Sequence, residues 1–362
     1  MATRDPLRAA IIGYGLAGSV FHAPLISATP GMAVAAVVTG NPSRQEQVAA
    51  EVPDAAVLAD SDEIWERAED FDLVVVAAPN RVHARLAEAS MRAGVPAVVD
   101  KPLATSVDDA RRLASLSQET GVLLSVFHNR RWDNDFLTVR RLLDEGQLGQ
   151  VLRFESRFER YRPQVAERWR ESPAREDGGG LLYDLGSHLI DQALVLFGAP
   201  SHVYAEVERR RPGAEVDDDT FVALRFPSGP VAHLWMSAVV YRPAPRIRVS
   251  GMNGVYERYG LDPQEDALRS GRRPGEPGWG EEGEPQWGRL VAEVEGVAVD
   301  RAVQPEPGAY QDFYAGVRDA LRGGGAPPVG AADGLAVLRV IEAARESAER
   351  ATVVALEPEP PL

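Results

Sequence analysis

All 39 basic residues of this 362-residue chain are arginine except one, Lys101. A compact amine with a tunable pKa does work that a guanidinium does not. It can donate to a developing alkoxide and ease the departure of the proton. Lys101 stands in Asp100-Lys101-Pro102, where the proline holds the preceding backbone extended and aims the amine outward. A second group lies far along the chain, in Gly178-Gly179-Gly180-Leu181-Leu182-Tyr183-Asp184-Leu185-Gly186-Ser187-His188. Asp184 and His188 are four apart, so a helix places them on one face. A carboxylate one turn from an imidazole can orient the ring and stabilise its protonated form, the pairing a general base needs. A solitary helical histidine is ordinarily structural. Asp184, Lys101 and the triple glycine, which permits close approach of a ligand, set His188 apart. His22, His202 and His233 have no such company, and His128 is intermediate, just past a strand-like run.

Gly13-Tyr14-Gly15-Leu16-Ala17-Gly18 reads G-x-G-x-x-G between a strand-like run and a helical one. The first glycine makes the tight turn, the second lets backbone approach a pyrophosphate, and the third lets helix and strand pack closely. A dinucleotide is the expected ligand. Thr39-Gly40-Asn41-Pro42-Ser43-Arg44 follows the second strand and lacks the acidic residue that holds a ribose 2′-hydroxyl. Thr39 and Asn41 offer neutral donors and Arg44 can pair with a 2′-phosphate, so NADP is expected ahead of NAD. Pro79, Asn80 and His83 after the fourth strand, and Asp100 and Lys101 after the fifth, lie at strand carboxyl ends, where such sheets bind ligands.

The elements needed to hold these groups are legible in the apolar pattern. Leu7–Ile12, Ala33–Val38, Ala56–Leu58, Leu73–Val76, Ala97–Val99 and Leu123–Phe127 read as buried parallel strands. Between them Ala17–Ala28, Arg44–Ala50, Ile64–Arg67, Val82–Ala93 and Val107–Thr120 mostly show helical spacing. The rhythm then changes. Helices over Phe136–Glu145 and Leu181–Phe197 bracket a strand at Val151–Arg160. Strands over Ser201–Arg209, Thr220–Phe226, Val231–Val240, Arg246–Gly251 and near Val291–Val299 precede terminal helices Tyr310–Arg322 and Ala331–Arg350. The expected fold is an α/β Rossmann domain (a doubly wound parallel sheet) over residues 1–127, then an α+β domain over 128–362 with an open, mainly antiparallel sheet.

Composition excludes several classes. A net charge of −15 disfavours nucleic acid and anionic membranes as partners. No apolar run is long enough to span a bilayer. The polar Met1–Pro6 leads straight into a strand, which leaves no room for a signal peptide, so a cytoplasmic location is expected. With no cysteine there are no disulfides or thiolate sites, and no carboxylate and histidine set shows metal spacing. Gly271–Gly288, rich in Gly, Pro and Glu, reads as a surface loop. An open sheet with an uncovered face is expected to pair with copies of the chain as a homodimer or homotetramer.

Beyond these signals the chain resembles the Gfo/Idh/MocA oxidoreductases over essentially its full length, and within them the NADP-dependent scyllo-inositol dehydrogenases. The residues that carry the resemblance are Gly13–His22, Asp100-Lys101-Pro102, the run Phe127–Phe136 (FHNRRWDNDF), Tyr183–His188 and Gln264–Leu268. The resemblance implies hydride transfer between a nicotinamide and a ring hydroxyl of a cyclic polyol or sugar. Lys101 would bond the reacting oxygen, and His188 would exchange its proton with support from Asp184. Asn80, Asp100, Asn129 and Arg130 would line the cofactor. Trp132, Tyr161, Tyr183 and Tyr241 are candidates for holding substrate hydroxyls, with core packing as their other reading. The family usually has Glu where this chain has Asp100, one methylene shorter. Two other readings keep the fold: transient oxidation by a tightly held cofactor, as in epimerase or glycosidase relatives, and a non-catalytic nucleotide-bound sensor.

Overall fold

Short runs of Val, Ile, Leu and Ala build the first sheet. In the computed structural model, which describes residues 5–165, 171–294 and 296–358, these runs form β1 (Leu7–Ile12), β2 (Met32–Val38), β3 (Ala56–Leu58), β4 (Leu73–Val76), β5 (Ala97–Asp100) and β6 (Leu124–Phe127). Residues 1–4, part of the polar start of the chain, lie outside the described residues. All neighbours in the sheet are parallel, in the order β3-β2-β1-β4-β5-β6. β4 is buried at every position, which is why its sequence is a continuous apolar run rather than an alternating one. Helices α1 (Ala23–Ala28), α2 (Pro42–Glu51), α3 (Asp62–Trp65), α4 (His83–Arg92) and α5 (Val107–Thr120) connect the strands. The strand order reverses between β1 and β4, and the crevice at their carboxyl ends is where a doubly wound sheet takes its ligand.

After α6 (Asn134–Asp144) comes β7 (Val151–Glu159), and after α7 (Ser187–Phe197) come β8 (His202–Glu208), β9 (Asp219–Arg225) and β10 (Val231–Ser237). β11 (Ile247–Gly251), β12 (Gly254–Arg258), β13 (Gly288–Val294), β14 (Val297–Val303) and β15 (Val354–Ala355) complete a nine-stranded sheet ordered β14-β13-β12-β11-β7-β10-β9-β8-β15. β7 and β10 pair in parallel and the other pairings are antiparallel. The architecture is therefore a Rossmann sheet followed by a mostly antiparallel one, as the sequence pattern implied. Three details differ from it. The stretch near 291–299 is a hairpin, β13–β14, turning at Gly296, and the short β12 and α8 (Gln264–Arg269) fall where no long apolar run announced an element.

The last helices, α9 (Gln311–Gly323) and α10 (Ala331–Arg350), return to the first sheet: α9 packs on α1, and α10 lies against α5 and β6 as well as β8. Ser125 Oγ donates to the carbonyl of Val329 at 2.7 Å, which pins that return. Helices α7 and α10 cover one face of the second sheet, where Phe154 and Phe226 pack on Phe197. The opposite face carries Phe221, His233 and Trp235, with the Arg157 guanidinium 3.9 Å from the Trp235 ring centroid.

Candidate functional site

The three glycines of the first turn have three distinct surroundings. Gly13 takes φ +100°, and a side chain there would strike the carbonyl of Ala77. A Cβ on Gly18 would collide with the carbonyl of Gly13, so helix and strand touch at that point. At Gly15 a Cβ would meet only the Arg44 guanidinium, at 3.8 Å. The middle glycine therefore faces open space at the strand ends, the arrangement a pyrophosphate needs for backbone approach. This donor set fits a dinucleotide, with Arg44 at the rim of the turn.

Leu16 and Ala17 of that turn line a cleft of about 210 Å³ with Asp100, Lys101, Asp184 and His188. Lys101 directly follows β5, and its peptide bond to Pro102 is cis. Its Nζ donates to the Asp184 carbonyl and, at 3.1 Å, to the Asp184 Oδ1. His188 lies in the first turn of α7, buried, and its Nδ1 has no hydrogen-bond partner. Burial first, then the nearby cations Lys101, Arg130 and Arg246, hold its pKa well below the usual 6.5, so the imidazole is neutral at pH 7. A buried neutral imidazole beside an ammonium is suited to accept a proton from a group that the ammonium polarises.

The expected pairing of Asp184 with His188 is corrected by this geometry. The segment before α7 is π-helical over Leu182–Gly186, and its Asp184 carboxylate is engaged by Lys101. A wider turn shifts the angular offset of residues four apart, and π-turns are common at functional sites. Asp184 thus positions the amine.

Other expected contacts are also redistributed. His83 is fully buried with its ring nitrogens 2.7 Å and 2.9 Å from the carbonyls of Pro102 and Ala78, so it ties the segments after β4 and β5 together and its ring does not line the cleft. The Tyr14 hydroxyl donates to Glu51 on α2 and its ring is buried, leaving only backbone at the turn. Asn41 Oδ1 caps α2, and Thr39 Oγ1 accepts from the Asn41 N–H, so both side chains shape the loop that carries Arg44. Asn80, next to Pro79, donates to the carbonyl of Asp177 at 3.1 Å, joining the loop before the triple glycine to the first sheet. Tyr183 faces a different cavity, where its hydroxyl donates to Thr105. Trp132 packs on Phe313, and its carbonyl accepts from Ala309 N–H and Gln264 Nε2, away from the cleft lining. Tyr161 and Tyr241 are exposed and form an edge-to-face pair 4.9 Å apart. None of these four aromatics lines the cleft.

Asn129 and Arg130 do line it. Arg130 is bonded to Glu265 at 2.8 Å and stacked 5.0 Å from the Phe158 ring centroid. The next arginine, Arg131, makes a two-pronged bridge to Asp191 of α7, at 2.9 Å and 2.6 Å. The run Phe127–Phe136 is thus the joint between the sheets: it places Arg130 in the cleft and anchors the helix that bears His188. His128, buried beside it, has its ring 6.3 Å from that of His188, and burial lowers its pKa. Sequence reading missed Arg160, Arg162, Glu265 and Arg269 in the lining. The parity of β7 carried a signal for the first two: Phe154, Ser156 and Phe158 are buried, so even positions face the helices and the cleft. Among the described residues, no group of three or more His, Asp or Glu side chains forms a metal cluster. Among the same residues, no helix is long and apolar enough to cross a membrane.

A glycine turn at a Rossmann switch point, opening on a cleft with an amine and an imidazole, defines a nucleotide-dependent oxidoreductase. Comparison with known proteins agrees. The chain matches "Oxidoreductase family, NAD-binding Rossmann fold" over residues 7–128 and "Oxidoreductase family, C-terminal alpha/beta domain" over residues 140–356. It belongs to the Gfo/Idh/MocA oxidoreductase family. It is 41% identical to the uncharacterized oxidoreductase YdgJ of Escherichia coli, covering 96% of this chain and 99% of that one. It is 38% identical to the scyllo-inositol 2-dehydrogenase (NADP(+)) IolW of Bacillus subtilis, covering 98% and 97%. The solved structure of YvaA from Bacillus subtilis superposes with a TM-score of 0.93 at 38% identity, over 98% of this chain and 99% of that one.

Proposed function

We propose that this chain is an NADP-preferring dehydrogenase that oxidises a ring hydroxyl of a cyclic polyol or sugar, with scyllo-inositol the leading neutral candidate. The observation that carries this reading is the meeting of Lys101, just after β5, and His188, on α7, in one cleft with the glycine turn. Similarity to the Bacillus subtilis enzyme supports the substrate class. Arg44 beside Gly15, with no carboxylate in the Thr39–Arg44 segment, supports the 2′-phosphate.

When bound, NADP supplies the hydride acceptor at the nicotinamide. The protein's part is proton management. An ammonium has three N–H donors. Two of those of Lys101 go to Asp184, and the third is available to the substrate oxygen, where it stabilises growing negative charge. Neutral His188 takes the hydroxyl proton. Asp184 keeps the amine on station, and the Arg131–Asp191 bridge holds α7 against the joint. We further propose that copies associate through the open sheet face bearing Phe221 and Trp235.

The test is NADPH formation by the purified chain with inositols and aldoses. Stoichiometric, substrate-dependent NADPH supports net dehydrogenation. Sugar turnover without it favours transient oxidation by a retained cofactor, and no turnover of any kind favours the sensor reading.

A further inference from the structure

We propose that His128 is a positioning residue for His188: it accepts the His188 Nδ1–H, gives its own Nδ1–H to Asp191, and so fixes His188 in the tautomer that can take a substrate proton. The inference rests on the reading that His188 receives that proton, and it names the groups behind the ring. His188 lines the cleft, while its Nδ1 is buried without a hydrogen-bond partner among the described residues. Nδ1 is thus the inner nitrogen, and Nε2 is left to meet a substrate oxygen. Behind it stands His128, the residue after β6, 1% exposed and likewise without a hydrogen-bond partner at Nδ1. The two rings are nearly perpendicular, at 86°, with centroids 6.3 Å apart. Asp191 lies three residues beyond His188 on the same face of α7, and its Oδ2 is 4.0 Å from His128 Nδ1.

Both supports of this pair are fixed. The His128 N–H donates to the Val126 carbonyl at 2.9 Å, and its carbonyl accepts from the Arg131 N–H at 3.2 Å. Asp191 is clamped by the Arg131 guanidinium, which also reaches Asp333 in the first turn of α10 at 3.2 Å. Burial lowers the pKa of both imidazoles, so at pH 7 each is neutral, with one N–H and one lone pair. The direction of the chain follows from that count. A carboxylate paired with arginine only accepts, so it takes the Nδ1–H of His128. The Nε2 of His128 is then a lone pair, and the Nδ1–H of His188 is the donor at hand. His188 keeps its own lone pair at Nε2. Reversing any link would put an N–H where the hydroxyl must give up its proton. A direct bond asks the rings to close by about 1 Å, and catalytic hydrogen bonds commonly tighten once ligand is bound. When the hydroxyl proton reaches Nε2, the Nδ1–H becomes a stronger donor, and the chain to Asp191 steadies the new charge.

The experiment reads the tautomer itself. Imidazole nitrogen NMR of the NADP-loaded, isotope-labelled protein separates Nδ1–H from Nε2–H rings, and the signal lost in His188→Asn assigns His188. The Nδ1–H form is expected in the parent and in H128Q, whose side-chain carbonyl keeps an acceptor in that place. In H128L the ring is expected to revert to mainly Nε2–H, the form an unconstrained histidine prefers. H128L is also expected to lose about tenfold in kcat, the worth of one neutral hydrogen bond, with KM for NADP within about twofold and most of kcat restored in H128Q. A parent His188 in the Nε2–H form would overturn the proposal, whether or not H128L folds. So would an Nδ1–H form that persists in folded H128L, or a folded H128L with the kcat of the parent. If no substrate is oxidised, the dehydrogenase reading fails alone, because the tautomer is read without turnover.

Discussion

Lys101→Arg keeps a positive charge and changes only the donor. Lys101 Nζ gives one N–H to the Asp184 carbonyl and one to its carboxylate at 3.1 Å, which leaves one for a substrate oxygen. An arginine there can rebuild the ion pair with Asp184 through its planar fork, so the variant should fold and melt within a few degrees of the parent. The fork is longer and wider, however, and the cleft is only about 210 Å³. Its remaining N–H groups lie in the plane of the guanidinium and cannot rotate onto the oxygen as an ammonium does. Losing one preorganised donor at a developing oxyanion costs about 2.7–4 kcal/mol, which is roughly a hundred- to thousandfold in kcat. The NADP dissociation constant should move by less than about threefold, because the phosphate contacts lie at the glycine turn. The assays are initial rates of NADPH formation, fluorescence titration of NADP, and thermal melting. A kcat within about fivefold of the parent, at saturating substrate and cofactor, would refute the assignment of that third donor to the reacting oxygen.

Three further outcomes follow from the same coordinates. His188→Asn should lower kcat/KM by about 10²–10⁴ and abolish an acidic limb that in the parent lies below pH 6.5, because burial and neighbouring cations favour the neutral ring; a parent limb at or above pH 6.5 would contradict that electrostatic picture. Arg44→Gln should raise the KM for NADP by roughly tenfold or more while NAD changes little, and equal effects on both would remove Arg44 from 2′-phosphate recognition. Burial lowers the His22 pKa from 6.5 to about 4, so between those values the unfolded chain binds a proton that the folded chain refuses, and stability falls on acidification through that window by about 3 kcal/mol. His22→Asn keeps an acceptor for the Tyr314 hydroxyl, 2.6 Å from His22 Nδ1, and should shrink the loss of urea resistance between pH 7 and about pH 4.5; an unchanged loss would place the acid sensitivity elsewhere.

The central strands of the first sheet were legible because burial on both faces favours continuous apolar runs, and the first and fifth runs stop at Gly13 and Asp100. The glycine turn was legible for a steric reason: at Gly13 and Gly18 no side chain fits. Roles that depend on where a side chain points were less so. Tyr14, His83 and Tyr183 stand in or beside motifs at the strand ends, yet their hydroxyl or ring nitrogens are satisfied within the protein, by Glu51, Pro102 and Thr105 respectively. Four-residue spacing suggested an Asp184–His188 pair, because a π-helical turn has no separate sequence signature. Conversely, Arg160 and Arg162 were hidden by composition: in a chain so rich in arginine, two more drew no notice until strand parity placed them.

A net charge of −15 and a cation-rich cleft are compatible because they act over different distances. Exposed carboxylates beyond roughly 8 Å are screened at physiological ionic strength. Lys101 and Arg130 act on His188 through low-dielectric protein. Beneath the cleft Arg246 is buried against Asp135 at 3.3 Å, and the Tyr310 hydroxyl donates to Asp133 at 2.6 Å, whose pKa burial raises to about 6. Buried ion pairs of this kind add little net stability, because desolvation offsets their attraction. Their effect here is positional. They fix Arg130 and the His188 helix relative to Lys101, so that the amine after β5 and the imidazole of α7 line the same cleft.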